Sequence, residues 1–332
     1  MRVVLLGFGR VGQDLARALV ERADTLSTRG LKIELVAVAD SSSAAVDPRG
    51  LDPSLLIERK RSTGRVGERG SNTTDLIRDV SSDVVVELTP GNPKDGEPAL
   101  TQIREALRSS RSVVSANKAP LALHFTELVE EARKRGVLLR YGACVGGGIP
   151  MLEMGRACAE AEEIEGFDAV LNATSNFILT RMQDGGKDFT SALAEARRLG
   201  YAEADISLDV DGFDAAAKLV ILANHVMGTS ISLKDVRPIE GIRDLTTESV
   251  RAAASKGKAL RALARMHGSP EVGPMEVDIK NPLNVLGATN AVVFRCRDSG
   301  DRSVAGPSGG GVATSRAVLR DLVSIANAVR TG

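Results

Sequence analysis

The chain has 332 residues, enough for two domains of ordinary size, and its 43% apolar and 26% charged residues are those of a globular protein. Forty-three Lys and Arg balance forty-three Asp and Glu, so there is no electrostatic footprint for nucleic acid or an anionic membrane, and a small-molecule partner is expected. Three cysteines, Cys144, Cys158 and Cys296, without metal-ligand spacing fit a reducing, cytoplasmic compartment, and no apolar run reaches the roughly 18 residues of a membrane span.

Residues 2–6, RVVLL, have the pattern of a buried parallel strand. They run into Gly7-Phe8-Gly9-Arg10-Val11-Gly12, after which QDLARALVER continues with helical spacing. This G-x-G-x-x-G, set between strand and helix, reads as a dinucleotide site. Gly7 serves the tight turn, Gly9 the close approach of a pyrophosphate and Gly12 the packing of helix on strand. Phe8, Arg10 and Val11 complete the loop at a helix N-terminus that faces the anion. The second strand, Ile33–Ala39, ends in Asp40, an acid placed for the ribose hydroxyls of NAD. Arg49, Lys60, Arg61 and Arg65 in the 44–70 segment offer charge for the 2′-phosphate of NADP, or form a solvated surface. The cofactor is therefore NAD or NADP.

Two further strands follow. Asp83–Leu88 ends in a turn over Thr89–Pro93, and Ser112–Ser115 ends in Ala116-Asn117-Lys118. Ligands of open α/β sheets bind beyond the carboxyl ends of strands, which makes Thr89, Ser115 and Asn117 candidate cofactor contacts. Lys118 falls where the nicotinamide end should lie, or is simply a solvated lysine.

After a strand at Val137–Tyr141 comes CVGGGIP, Cys144–Pro150. Its three glycines expose backbone groups, with Gly147 a candidate to cradle a carboxylate or a cation, or they form a hinge. The stretch Phe167–Thr180 reads as strand-like, interrupted by Asn172, Thr174, Ser175 and Asn176, and a helix is expected at about 190–199. Leu199–Ala223 then places Glu203, Asp205, Asp209, Asp211 and Asp214 ahead of Lys218 and an apolar helix. Asp214 and Lys218, spaced i,i+4, would also suit a surface ion pair. The 230–300 region alternates short β-like runs with turns, as in an antiparallel sheet. Gly306–Gly311 feeds a last helix, which is read as returning to the first domain and offering Gly310 as a second backbone contact, or the glycine run is a linker. The expected organisation is an α/β fold in three parts. Residues 1–140 form a doubly wound, Rossmann-type dinucleotide-binding domain and residues 141–305 an α+β substrate-binding and dimerisation domain. Residues 306–332 form the returning C-terminal helix.

GFGRVG, SANK, YGACVGGGIP, LNATSNFILT, LGYAEADISLDVDGFDAAAKLVILA and GPSGGGVATSRAVLRDL, in that order along the whole chain, closely resemble homoserine dehydrogenase in its short form without a C-terminal regulatory domain. The resemblance implies a homodimer that interconverts L-homoserine and L-aspartate 4-semialdehyde with NAD(P), on the route to threonine and methionine. It implies catalytic roles for Lys118 and Lys218, and substrate contacts at Glu203, Asp214, Asp209, Thr174 and Gly147. Gly142 stands where many relatives carry a glutamate that helps hold a monovalent cation. No metal is therefore expected beyond a weak cation site at the carbonyls of Val145, Gly147 and Ile149. His124, His225 and His267 share no motif with a carboxylate or nucleophile and read as core or surface residues.

Alcohol oxidation sends a hydride to the nicotinamide and a proton to a base. A free lysine, with a pKa of about 10.4, holds its proton at neutral pH; burial and a second ammonium beside it lower that value. Lys218 is read as the principal acid/base and Lys118 as the group that polarises the oxygen, with the two roles open to exchange. Two other functions stay open: a Rossmann dehydrogenase for another amino-acid semialdehyde, and a non-catalytic NAD(P)-sensing protein, against which the retention of both lysines speaks.

Overall fold

In the computed structural model, which describes residues 1–68, 70, 72–203 and 205–331, the run RVVLL forms β1 (Arg2–Leu6), with Val3 to Leu6 fully buried. It continues into α1 (Arg10–Glu21), α2 (Ala23–Thr28), β2 (Glu34–Ala39) and β3 (Ala44–Val46). Then come α3 (Pro53–Thr63), α4 (Thr73–Asp79), β4 (Val84–Glu87), α5 (Ala99–Arg108), β5 (Ser112–Ser115), α6 (Lys118–Lys134) and β6 (Leu139–Arg140). The six-stranded sheet has the order β3-β2-β1-β4-β5-β6. Its strands are parallel except β3, which runs back along β2. Helices on both faces explain why VVLL and VVVE are buried throughout instead of alternating. Because β2 and β4 flank β1 on opposite sides, the strand order reverses at the carboxyl end of β1, the usual ligand crevice of such sheets.

A second unit spans Val145–Gly309. It holds α7 (Met151–Ala161), β7 (Ile164–Val170), α8 (Ala173–Gly185), α9 (Phe189–Arg198), α10 (Ser207–Val210), α11 (Phe213–Val226) and α12 (Thr247–Ser255). They are followed by β8 (Lys258–His267), β9 (Ser269–Asp278), β10 (Thr289–Cys296) and β11 (Gly300–Pro307). The five strands form an antiparallel sheet in the order β11-β10-β7-β8-β9. The last helix, α13 (Gly311–Thr331), belongs to the first unit. Its Ala317, Val318, Leu322 and Ile325 share one apolar core with Leu15, Ala16 and Leu19 of α1. Among the described residues, no helix is long and apolar enough to cross a membrane.

Two expectations about elements are corrected. The Phe167–Thr180 stretch is not one strand. β7 stops at Val170, and the Asn172 side chain accepts the Ser175 N–H at 2.8 Å, so a helix starts at Ala173. The polar residues that break the strand pattern are thus a cap and a first turn. The Val137–Tyr141 strand shrinks to Leu139–Arg140.

Across the second sheet, Asp168 of β7 accepts hydrogen bonds from Arg265 (2.7 Å) and His267 (3.1 Å) of β8 and from Arg295 (3.0 Å) of β10. Burial pushes its carboxyl up, but Arg265 and His267 outweigh this and hold it below the ordinary value. Asp168→Asn takes the carboxylate away from Arg265 and Arg295, and unfolding by denaturant should show a loss of about 1 kcal/mol at neutral pH. A carboxyl depressed in the folded state stabilises fully above the unfolded pKa of about 3.9 and loses this as pH falls through the lower folded value. The difference between Asp168→Asn and the parent chain should therefore shrink on acidification below about pH 4.

Candidate active site

In the first unit the glycine turn carries the geometry of a phosphate cradle. Gly7 has φ +95°, and a Cβ there would lie 2.4 Å from the Leu88 carbonyl oxygen. At Gly12 a Cβ would lie 2.3 Å from the Gly7 oxygen, so helix and turn touch through backbone alone. A Cβ at Gly9 would meet nothing within 4 Å. Gly9 is the N-cap of α1 without a side-chain cap, which leaves the first N–H groups of the helix to an incoming anion. Phe8 is 1% exposed and built into the core, so only its backbone serves the loop; Arg10 is exposed and Val11 half-buried. Gly310, with φ +88°, opens α13, and a Cβ on the next residue, Gly311, would strike Asp14 and Arg10 of α1. The C-terminal glycine turn thus lies against the first turn of α1. These features suit a dinucleotide.

Asp40 is committed within the protein. One oxygen accepts the N–H groups of Ser42 (2.8 Å) and Ser43 (2.7 Å), and the other takes Lys60 Nζ (2.9 Å) and the Val66 N–H (3.1 Å). Burial pushes this carboxyl up, but Lys60, Ser42 and Ser43 hold it far below the ordinary carboxylate range. Lys60, read from sequence as one of several loop cations, is the one that meets Asp40. At the far side of the switch point, Thr89, Ser115 and Asn117 all converge on Glu87, the last residue of β4. Asn117 caps α6 by accepting the Ala119 N–H, so Lys118 is the half-buried first residue of a helix rather than a strand terminus.

In the second unit two of the acids, half-buried Asp209 and buried Asp214, are drawn together with half-buried Lys218. Lys218 Nζ donates to Asp214 Oδ2 and to the Leu171 carbonyl, each at 2.7 Å. The i,i+4 pair that the sequence left open exists, but its side chains are only 15% and 9% exposed, so it is no solvated bridge. The Asn172 amide donates to Asp209 (2.7 Å) and to Asp214 (2.9 Å) and ties the two carboxylates together. Thr174 Oγ1 donates to the Tyr201 carbonyl at 2.7 Å and lies 3.3 Å from Asp209 Oδ2. Asn290, fully buried on β10, joins the Leu171 carbonyl to the Ser308 hydroxyl.

The glycine turn of this unit lies beside that joint: a Cβ at Gly147 would sit 3.7 Å from Ser308 Oγ. Of the three carbonyls read as a weak cation site, that of Ile149 already accepts the Met151 N–H; Val145 and Gly147 flank it on the turn. Among the described residues, no group of three or more His, Cys, Asp or Glu is placed to hold a metal. Glu203 is exposed and shares no hydrogen bond with Asp209 or Asp214 among the described residues. Asp205 and Asp211 serve local structure, Asp205 by accepting the Ser207 N–H and Asp211 by pairing with Arg243.

Sequence reasoning missed the bridging of Asn172, the linkage through Asn290 and the centring of three cofactor candidates on Glu87. For Glu87 alone there was a signal, a charge closing an otherwise apolar strand.

A glycine cradle for a dinucleotide and a lysine–carboxylate cluster define a nicotinamide-dependent dehydrogenase. Residues 150–323 match homoserine dehydrogenase, and residues 7–142 match the homoserine dehydrogenase NAD-binding domain. The chain belongs to the homoserine dehydrogenase family. It is 40% identical to the homoserine dehydrogenase of Methanocaldococcus jannaschii over 99% of this chain and 100% of that one. To an NAD(+)-dependent homoserine dehydrogenase of Pseudomonas canavaninivorans it is 36% identical over 98% of this chain and 96% of that one. Its fold matches a Thiobacillus denitrificans homoserine dehydrogenase with TM-score 0.87 and 33% identity, covering 100% of this chain and 74% of that one. A hyperthermophilic archaeal homoserine dehydrogenase in complex with NADPH matches with TM-score 0.86 and 28% identity, over 98% of each chain. The protein is thus an NAD(P)-dependent oxidoreductase with a small-molecule substrate, and its cofactor is NAD or NADP.

Because Gly12 and Gly7 meet backbone to backbone, Gly12→Val must push the turn out of place. Fluorescence titration should show the dissociation constants of NADH and NADPH raised about tenfold or more, the equivalent of about 1.4 kcal/mol.

Proposed function

We propose that this protein interconverts L-aspartate 4-semialdehyde and L-homoserine, within the biosynthesis of threonine and methionine, with lysine acid/base catalysis. The observation that carries the proposal is the hydrogen-bonded chain Asp209–Asn172–Asp214–Lys218, buried at Asn172 and Asp214. It supplies a proton donor and fixed negative charge in one place, which an amino-acid aldehyde needs at its oxygen and at its ammonium.

In the reducing direction, bound NAD(P)H supplies the hydride that reaches the aldehyde carbon. Lys218 donates its proton to the oxygen as negative charge grows there. Its ammonium is aimed by Asp214 and by the Leu171 carbonyl, so little orientation is lost at the moment of transfer. Lys118 polarises the same oxygen. Asp214 and Asp209, with Glu203, hold the substrate ammonium, while Thr174 keeps Asp209 turned toward it. The backbone at Gly147 receives the substrate carboxylate. In the oxidising direction each proton path runs backwards. Two copies of the chain form a cytoplasmic homodimer.

L-homoserine with NAD(+) or NADP(+) should raise absorbance from the reduced cofactor, and failure with both would overturn the reading. Lys218→Met should lower kcat by about a hundredfold or more, the ordinary contribution of a positioned acid/base. NAD(P)H should bind it as before; near-normal turnover would remove Lys218 from the chemistry.

Asn172→Asp gives a separate test. It keeps the oxygen that caps α8 but sets a third carboxylate against Asp209 and Asp214. The variant should fold, and its KM for homoserine should rise by about tenfold or more while that for the cofactor stays put. Equal changes in both would point to a folding role.

A further inference from the structure

Among the described residues, Glu87 is a carboxylate buried at the carboxyl end of the parallel sheet whose hydrogen-bond partners are Thr89, Ser115 and Asn117. Its relative exposure is 0%. One oxygen accepts the Thr89 N–H at 2.7 Å and the Thr89 hydroxyl, and the other accepts the Ser115 hydroxyl at 2.9 Å. The Asn117 amide approaches the same carboxylate and also donates to the Thr89 carbonyl at 3.2 Å. Ser115 Oγ in turn accepts the Asn117 N–H at 3.0 Å. Each of these partners is neutral. Burial pushes the Glu87 carboxyl above its ordinary value, against the pull of Thr89 and Ser115.

A buried carboxylate with neutral partners is costly to keep. Sheet stability does not require it, since β4 and β5 already pair through backbone bonds from Val84–Ser112 to Glu87–Ser115. An apolar residue would continue the run VVV. What the carboxylate adds is direction. It fixes the rotamers of Thr89 and Ser115 and the plane of the Asn117 amide, and the lone pairs and protons those groups have left then point in set directions. The packing around Asn117 is equally closed: a Cβ at Gly91 would lie 2.2 Å from Asn117 Oδ1.

We propose that Glu87 is a positioning residue that orders Thr89, Ser115 and Asn117 to receive the nicotinamide half of the dinucleotide, while the glycine turn receives the pyrophosphate independently of it. The proposal rests on the dehydrogenase reading given above. It separates the two halves of the cofactor: the nicotinamide half depends on a buried charge, the adenosine half on backbone and on the Asp40–Lys60 pair.

The test uses the full chain, with NAD(P)H and, as the probe lacking nicotinamide, ADP-ribose and its 2′-phosphate. In Glu87→Gln an amide N–H₂ must face at least one donor, so the array loses charge-assisted bonds. Binding of NAD(P)H should weaken about tenfold or more, and binding of the ADP-ribose probes should change by less than about twofold. The KM for homoserine should stay within about twofold of the parent value once the cofactor is saturating. Glu87→Asp, which keeps the charge on a shorter arm, should recover part of the loss. Equal weakening of both ligand classes, or none, would overturn the proposal. If Glu87→Gln fails to fold, Ser115→Ala removes one donor from the same carboxylate and should show the same selectivity for the nicotinamide-bearing ligand. A parent protein that bound neither ligand would overturn the dehydrogenase reading instead.

Discussion

The second unit is organised around the contact between Lys218 and Asp214. An ion pair this far from solvent pays for its desolvation only if its remaining protons and lone pairs are met. The Leu171 carbonyl takes one Lys218 proton, and Asn172 gives a proton to Asp214. Both partners come from the short link between β7 and α8, so that link must follow one path. Its position is secured from the other side as well, because Asn290 on β10 holds the same Leu171 carbonyl and Ser308, the residue after β11. Strand ends, helix cap and charged pair therefore depend on one another, and the apolar run of α11 provides the dry wall against which the pair sits.

The first unit follows a different logic. Its cradle is made of absences: no side chain at Gly7 or Gly12, where backbone meets backbone, and none at Gly9, where space is left open. Glycine there fixes shape, and helix and peptide dipoles add partial charge to it. Asp40 shows how far the surroundings change a residue's meaning. An acid at the end of β2 faces a ribose in many dinucleotide sites, yet here its oxygens are shared among Lys60, two serines and the Val66 N–H. The end of β2 thus presents a neutralised pair instead of an open carboxylate.

Much of the architecture was legible from local pattern. The buried runs of β1, β4 and β5, the glycine turn between β1 and α1 and the helix near 190–199 each carry a periodicity or turn chemistry that acts over a few residues. Illegible parts depend on distant partners. Phe167–Thr180 reads as strand-like apart from its polar interruption, and only the capping bond from Ser175 and the packing of Phe177, Ile178 and Met182 into one core show that a helix starts there. Glu203 lies in the same acid-rich segment as Asp214 but is exposed, whereas Asp214 is buried; adjacency in sequence said nothing of that.

By itself the sequence determined the parallel dinucleotide-binding unit, its glycine turn and the residue types from which a lysine–carboxylate site is built, because these follow from short-range sterics and from spacing along one element. Tertiary structure alone decided which acids meet Lys218, that an amide holds two of them together, that Asp40 is spent on Lys60, and that a buried Glu87 gathers Thr89, Ser115 and Asn117. The physical reason is the same in each case. A buried charge is shaped by whichever donors the fold delivers to it, and those donors come from strands and helices far away in the chain.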